Sequence, residues 1–176
     1  MRARLLPLLL LLGLAGCSTY RLGTEGQLAF TTLYIAPVAN SILLPQAQAI
    51  LTTELRNEFS KDGRVTLVDS PQAADATLKV TIVRYEREVA APREQDTGLA
   101  SKFILVIGAD CTLRDTRTGR AFFENRTVTS QRGAFTDSGQ PSSSLTGDQL
   151  QSEYNTIPLL AQALSGKIAH TVLDVW

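Results

Sequence analysis

The most reactive side chains in this sequence belong to two cysteines and one histidine, Cys17, Cys111 and His170. A thiol can act as a nucleophile, bind a metal, form a disulfide or accept a lipid, and an imidazole can bind a metal or transfer a proton. His170 has no second histidine or cysteine at ligand spacing, so the sequence predicts no transition-metal site. Cys17 stands apart because it directly follows an apolar run near the amino terminus.

Residues 1–16 have the three parts of an export signal. Met1-Arg2-Ala3-Arg4 is positively charged, Leu5 to Leu12 is almost pure leucine, and small residues follow. The apolar run is far shorter than the roughly 20 residues that span a bilayer. Leu14-Ala15-Gly16-Cys17 resembles the bacterial lipobox, in which the cysteine sulfur receives a diacylglycerol, cleavage falls before the cysteine and the new amino terminus is acylated.

We therefore expect cleavage after Gly16 and a stable anchor on Cys17, because several acyl chains hold a protein far more firmly than a single one. By the sorting habit of enterobacterial lipoproteins, Ser18 after the cysteine is typical of an outer-membrane address. The alternative is an ordinary secretory signal with Cys17 in a disulfide with Cys111. Cys111 lies in an alternating apolar segment, which predicts a buried thiol.

The composition is typical of one globular domain, with 176 residues of which 44% are hydrophobic and 19% charged. The 17 basic side chains equal the 17 acidic ones, so no global field for nucleic acid exists, although a local basic cluster could still bind an anionic lipid. We expect a leader over residues 1–16, a lipidated tether over 17–31 and a single α/β domain over 32–176.

In the first half of that domain, the sequence pattern predicts a strand, a helix and a second strand. Thr32 to Val38 is rich in β-branched and aromatic residues, and its proline marks a strand end. Pro45 opens a helix whose apolar residues recur at helical spacing as far as a C-cap at Gly63. Residues 65–68 predict the second strand, and residues 69–75 a turn-rich connection.

Three alternating segments then predict an antiparallel meander. Gly119 is placed in the hairpin turn 115–119, where it is expected to adopt a positive φ. The expected strands are residues 76–87, 102–114 and 121–130.

The remaining chain predicts a long loop over residues 133–147 and a helix from Asp148 to Val175, with Asp148 as N-cap and a kink or restart at Pro158. Together these elements predict a two-layer α/β sandwich, a small mixed and mostly antiparallel sheet with two helices on one face. The stripe expected to face the sheet is Leu150, Tyr154, Ile157, Ala161, Leu164, Ile168 and Val172.

No catalytic, phosphate-binding or dinucleotide motif is present, so we expect neither an enzyme nor a cofactor. Strict alternation instead places Lys79, Tyr85, Arg87 and Lys102 beside apolar residues on the face that the helices leave uncovered. Such a surface suits a protein or an amphipathic anion such as a glycolipid, because Lys and Arg bind phosphates. The alternative is that single exposed apolar residues are common and carry no function.

In the combined order of its segments the chain resembles the lipopolysaccharide-assembly lipoprotein family LptE, in particular its members outside the enterobacteria. The family commonly has Gly directly after the lipidated cysteine, where this chain has Ser18-Thr19. The matching segments are Tyr20-Arg21-Leu22-Gly23 after Cys17, Leu33 to Val38 running into Asn40, Pro45-Gln46-Ala47-Gln48, Thr118-Gly119, Tyr154-Asn155-Thr156-Ile157-Pro158-Leu159-Leu160-Ala161 and Ile168-Ala169.

The resemblance implies a small helix-on-sheet domain that sits as a plug in the outer-membrane β-barrel LptD, helps it assemble and binds lipopolysaccharide on its way to the surface. It implies an outer-membrane location, with the domain on the periplasmic side or inside the barrel, and loops 89–100 and 133–147 facing barrel or lipid. Two alternatives stay open. One is a lipoprotein that regulates or scaffolds another envelope machine, such as a cell-wall synthase or secretion pore, and the other is a periplasmic enzyme with an unrecognised site.

Overall fold

The computed structural model describes residues 28–42, 44–92, 100–135 and 145–174, apart from the side chains of residues 91, 92, 100, 101 and 145–148. These residues form two α-helices, a short 3-10 helix at Pro71–Ala73 and a six-stranded sheet. In chain order the elements are β1 (Thr32–Ile35), β2 (Ala39–Asn40), α1 (Pro45–Asp62), β3 (Thr66–Leu67), β4 (Ala76–Pro92), β5 (Ala100–Asp115), β6 (Ala121–Phe135) and α2 (Leu145–Leu173).

The sheet has the strand order β3-β1-β4-β5-β6, and β2 also pairs with β4. Strands β1, β2 and β3 make parallel pairs, whereas β4, β5 and β6 form the expected antiparallel meander. The two helices pack against each other and cover one face of this sheet. The predicted α/β two-layer architecture with a mixed sheet is confirmed.

The strand predicted over residues 32–38 is shorter in the structure, where β1 ends at Ile35, and a separate two-residue strand, β2, follows; both pair with β4. The backbone N–H of Ala36 donates to Leu78 O, and that of Ser41 donates to Ile82 O. Pro37 lies between them and has no N–H to donate, so the ladder is interrupted there. The second strand, β2, was not predicted.

Helix α1 has the predicted bounds. Pro45 stands at its first position, and Gly63 ends it in the left-handed conformation, with its N–H 3.4 Å from Phe59 O. Its buried face carries four apolar residues at helical spacing, Ala47, Leu51, Leu55 and Phe59.

The meander strands are longer than the sequence predicts, because β4 continues to Pro92 and β6 to Phe135. Gly119 has the expected positive φ of 71°. The first part of the loop predicted over residues 133–147 is therefore strand, and residues 136–144 lie outside the described part. Helix α2 already begins at Leu145, so the prediction of Asp148 as its N-cap is wrong.

Helix α2 runs from Leu145 to Leu173 with Pro158 inside it, so it does not restart at that proline. The apolar stripe is confirmed in its later part, where Ile157, Ala161, Leu164, Ile168 and Val172 are buried. It is wrong for Leu150 and Tyr154, which are exposed. Neither described helix combines the length and the apolarity that crossing a bilayer requires.

The long strands give the molecule two distinct ends, since the 17 residues of β4 extend over roughly 50 Å. At one end, here called the entry end, the chain enters the fold where Thr31 and Thr32 meet Asp75. One oxygen of Asp75 accepts the N–H groups of Thr31 and Thr32 at 3.1 and 3.0 Å, and these bonds lower the pKa of the carboxyl. The opposite end, here called the far end, contains Val89 opposite Phe103.

The fold begins before residue 32. Phe30, in the segment expected to be tether, is buried in the core, and its ring centroid lies 5.6 Å from that of Phe122. The segment that joins Cys17 to the fold therefore ends at or before this residue.

Candidate functional site

Two of the four predicted contact residues lie on the face of the sheet opposite the helices. Lys79 pairs with Thr112 and is exposed, and Lys102 pairs with Phe135. Both belong to the set of side chains that alternates with the buried core residues of β4 and β5. The two lysines are roughly 30 Å apart, because Thr112 and Lys102 stand ten residues apart along β5.

The placement of Tyr85 and Arg87 on that face is wrong. The register of β4 against β5 shifts between Ile82 and Arg84, which is a β-bulge at Val83. A bulge inserts one unpaired residue, so the alternation of side chains reverses beyond it. Tyr85 and Arg87 consequently stand opposite Ile107 and Leu105, on the face that the helices cover.

There the two side chains meet Glu153 of α2. The Tyr85 hydroxyl donates to one carboxylate oxygen, and Arg87 forms an ion pair at 2.6 Å with the other. Glu153 is largely buried, with 13% of its side chain exposed. Burial and the adjacent carboxylate raise the pKa of Tyr85, so this phenol stays protonated and acts as a hydrogen-bond donor. The three residues form a polar contact that holds the early part of α2 to β4.

Exposed apolar side chains concentrate at the far end. Val89 and Phe135 stand near the ends of β4 and β6, and Leu150 and Tyr154 flank Glu153 on α2. Each of these four exposes more than half of its surface. Leu159, further along α2, is the one other large apolar residue exposed in the described part of the chain. This distribution differs from scattered single residues, which occur on any protein surface.

Cations accompany these apolar groups. Lys102 Nζ lies 5.3 Å from the centroid of the Phe135 ring, and the Arg87 guanidinium lies 6.0 Å from that of Phe103. Positive charges beside aromatic and aliphatic side chains can bind the anionic group and the apolar part of one amphipathic molecule. We call Val89, Lys102, Phe135, Leu150 and Tyr154 the far-end surface.

The cysteine, histidine and carboxylate side chains of the described residues are not grouped as metal ligands. No group of three or more His, Cys, Asp or Glu side chains in this part of the chain could hold a metal ion. Cys111 is a completely buried free thiol, and burial raises its pKa to about 12, which suppresses the reactive thiolate. His170 is exposed near the end of α2.

A comparison with protein-family models identifies one family, described as LptE, lipopolysaccharide-assembly, which matches residues 30–169. The match spans both helices and all six strands except the last turn of α2. The chain belongs to the LptE family. Cys17 and the leader lie before the matched range, whereas the far-end surface lies within it. No curated protein sequence matches the chain.

Solved structures share the LptE-type fold of this chain at low sequence identity. A protein of family DUF330 from Xanthomonas campestris has a TM-score of 0.57 and 14% identity, over 85% of this chain and 86% of its own. A hypothetical protein from Chlamydia trachomatis has a TM-score of 0.53 and 12% identity, over 84% and 98%. The uncharacterized lipoprotein B from Nitrosomonas europaea has a TM-score of 0.51 and 15% identity, over 88% and 94%. At these identities the likeness concerns the fold alone.

Sequence reasoning missed Glu153 and the bulge at Val83. The adjacent apolar residues Ile82 and Val83 break the alternation and are the one local sign of the shift, but the bulge itself is defined by how β4 pairs with β5. The sequence contains one weak sign of the role of Glu153. This charged residue stands next to Tyr154, in a part of the helix that was expected to present apolar residues to the core.

Proposed function

We propose that this chain is an outer-membrane lipoprotein, anchored through acyl groups on Cys17, that acts with an LptD-type β-barrel in lipopolysaccharide transport. In this role it serves as plug and assembly partner of the barrel and contacts lipopolysaccharide. The observation that carries the proposal is the LptE family match over residues 30–169. The leader that ends in Gly16-Cys17 supports the membrane anchor. The match favours lipopolysaccharide assembly over a role in cell-wall synthesis or secretion.

The far-end surface supports contact with lipopolysaccharide, which combines phosphate groups with acyl chains. Lys102 offers a cation for a phosphate, and Phe135 offers apolar surface beside it on the same face of the sheet, while Val89 adds apolar surface on the other face of this end. Arg87 is close by but is paired with Glu153, so its charge is partly neutralised. Lys79 lies too far from the other three residues to belong to the same contact.

The partnership with the barrel is tested by purifying an affinity-tagged chain from bacterial membranes after mild crosslinking. We expect a large outer-membrane β-barrel to be recovered with it, and depletion of the chain to reduce lipopolysaccharide at the cell surface. Recovery of soluble periplasmic proteins alone, or normal surface lipopolysaccharide together with a defective cell wall or secretion, would contradict the proposal.

The contact with lipid is tested separately with purified lipopolysaccharide and the variant Lys102→Gln. A charge-assisted contact contributes on the order of 1.5–3 kcal/mol, so we expect its loss to weaken binding about tenfold or more. Lys61→Gln is the matched control, since Lys61 is an exposed lysine at the entry end. Equal binding by the two variants would show that Lys102 does not contact lipopolysaccharide. That result would leave the family assignment unchanged.

A further inference from the structure

The entry end brings the start of the fold next to the β5–β6 hairpin turn. Asp75, which binds the backbone of Thr31 and Thr32, accepts the N–H of Thr116 on its own carbonyl at 2.8 Å. The hydroxyls of Thr77 and Thr116 lie 2.9 Å apart. The chain that arrives from Cys17 therefore joins the fold beside this turn.

The turn is rich in arginine. Arg114, Arg117 and Arg120 occur within seven residues, and the one acid among them is Asp115. The Asp115 carboxylate accepts the backbone N–H groups of Arg117 and Thr118 at 2.9 and 2.8 Å, bonds that lower its pKa. This acid thus shapes the turn, while the Arg117 and Arg120 side chains are exposed to solvent.

Lys79 extends this positive surface onto the uncovered face of the sheet. A shallow groove of about 240 Å³ lies between β4 and β5, and its charged lining residues are Lys79, Arg114 and Asp115, beside three threonines and Gly119. Arg114 is paired with Glu124 across the strands. Among the described residues, Lys79, Arg117 and Arg120 form no ion pair. We call these three residues the entry-end cations.

We propose that the entry-end cations dock on anionic phospholipid headgroups of the membrane in which Cys17 is anchored. The inference rests on the acylation of Cys17 that the proposed function includes. The eleven residues from Cys17 to Gln27 span at most about 40 Å, so the anchor keeps the entry end near the membrane. Screening limits the attraction of exposed charges to about 8 Å, so the cations act on headgroups that they nearly touch.

Docking of this end would orient the whole molecule. The far-end surface stands at the other end of β4, roughly 50 Å away along the strand. With the entry-end cations on the headgroups, that surface points away from the anchoring leaflet, toward the partner or lipid that the proposed function requires. The two ends then have separate tasks, one facing the membrane and the other its cargo.

Acyl groups would bind the chain to any vesicle and hide the contribution of the entry-end cations. The test therefore uses the chain without acylation. The polypeptide from residue 17 onward, with Cys17→Ser and without the leader, retains every core residue from Phe30 to Leu173 and is expected to fold. Flotation is measured with vesicles of phosphatidylcholine alone and with equal amounts of phosphatidylcholine and phosphatidylglycerol. We expect binding to the anionic vesicles only, and weakening by added salt.

Each cation near an anionic surface contributes about 1 kcal/mol, so each of the substitutions Lys79→Gln, Arg117→Gln and Arg120→Gln should lower vesicle partitioning about fivefold. The matched controls are Arg132→Gln and Lys167→Gln, which remove the same charge from exposed positions of β6 and α2 away from this turn. Equal partitioning into both vesicle types, or equal losses in the controls, would overturn the proposal. Neither result bears on acylation or on the barrel, which mass spectrometry and copurification test independently.

Discussion

At the scale of single residues, one unpaired position decides what Tyr85 and Arg87 do. The bulge at Val83 turns both side chains from the uncovered face to the helix face, where Glu153 receives them. A largely buried carboxylate needs such partners, because burying a charge without compensation is costly. The contact is therefore structural first, and it fixes the part of α2 that carries Leu150 and Tyr154.

The substitution Glu153→Ala removes the carboxylate that accepts the hydrogen bond of the Tyr85 hydroxyl and forms the ion pair with Arg87. We expect it to lower the free energy of unfolding by about 1–3 kcal/mol, measured by urea denaturation. Glu58→Ala is the control, because the exposed pair of Glu58 with Lys61 should contribute at most about 0.5 kcal/mol. Similar losses in the two variants would show that Glu153 has no more weight than a surface charge.

At the scale of elements, helix α2 has two parts with different surroundings. Its later part presents Leu164 and neighbouring apolar residues to the core, and it packs against α1, β5 and β6. Its early part lies over the polar pair Tyr85 and Arg87, so Glu153 faces the sheet and Leu150 and Tyr154 remain outside. One helix thus stabilises the fold and also displays an apolar surface.

This division predicts different costs for leucines of the same helix. Leu164→Ala removes a fully buried side chain and should destabilise the protein by about 2–5 kcal/mol. Leu159→Ala changes a side chain that is 45% exposed and should stay within about 1 kcal/mol. Thermal or urea unfolding measures both, and a large loss from Leu159→Ala alone would reverse the assignment of faces.

At the scale of the whole molecule, the chain has a polar, arginine-rich entry end and an apolar far end. The entry end receives the segment from Cys17, and the far end exposes Val89, Phe135, Leu150 and Tyr154. This asymmetry suits a protein held to a membrane at one end while the other end contacts a partner. Under the proposed function, that partner is an outer-membrane β-barrel together with the lipopolysaccharide that it transports.

The proposed acyl anchor on Cys17 leads to a prediction for the processing of a Cys17→Ala precursor. Without the sulfur that accepts the diacylglycerol, we expect the leader to remain uncleaved and the chain to carry no acyl groups. Mass spectrometry of the amino terminus and membrane fractionation measure both. Cys111→Ala serves as the control, because its buried thiol has no part in processing. Normal cleavage and acyl-dependent retention of the Cys17→Ala chain would refute the anchor.

Much of the fold could be predicted from the sequence because it depends on local rules. Helical spacing and the cap at Gly63 predict α1 over Pro45–Asp62, and a glycine able to adopt positive φ predicts the turn at Gly119. The leader and the acylation of Cys17 stay predictions, and they too rest on local order and composition. The family resemblance also depends on the linear order of segments.

Tertiary structure alone decided which residues meet. Strand alternation assigns a face only while the register is regular, and the bulge at Val83 is a property of two paired strands rather than of either one. The same holds for Asp75, which joins Thr32 to the start of β4, and for the distance between Lys79 and Lys102. A sequence determines its local periodicities, but packing determines where each periodicity is interrupted and which end of the molecule each charge occupies.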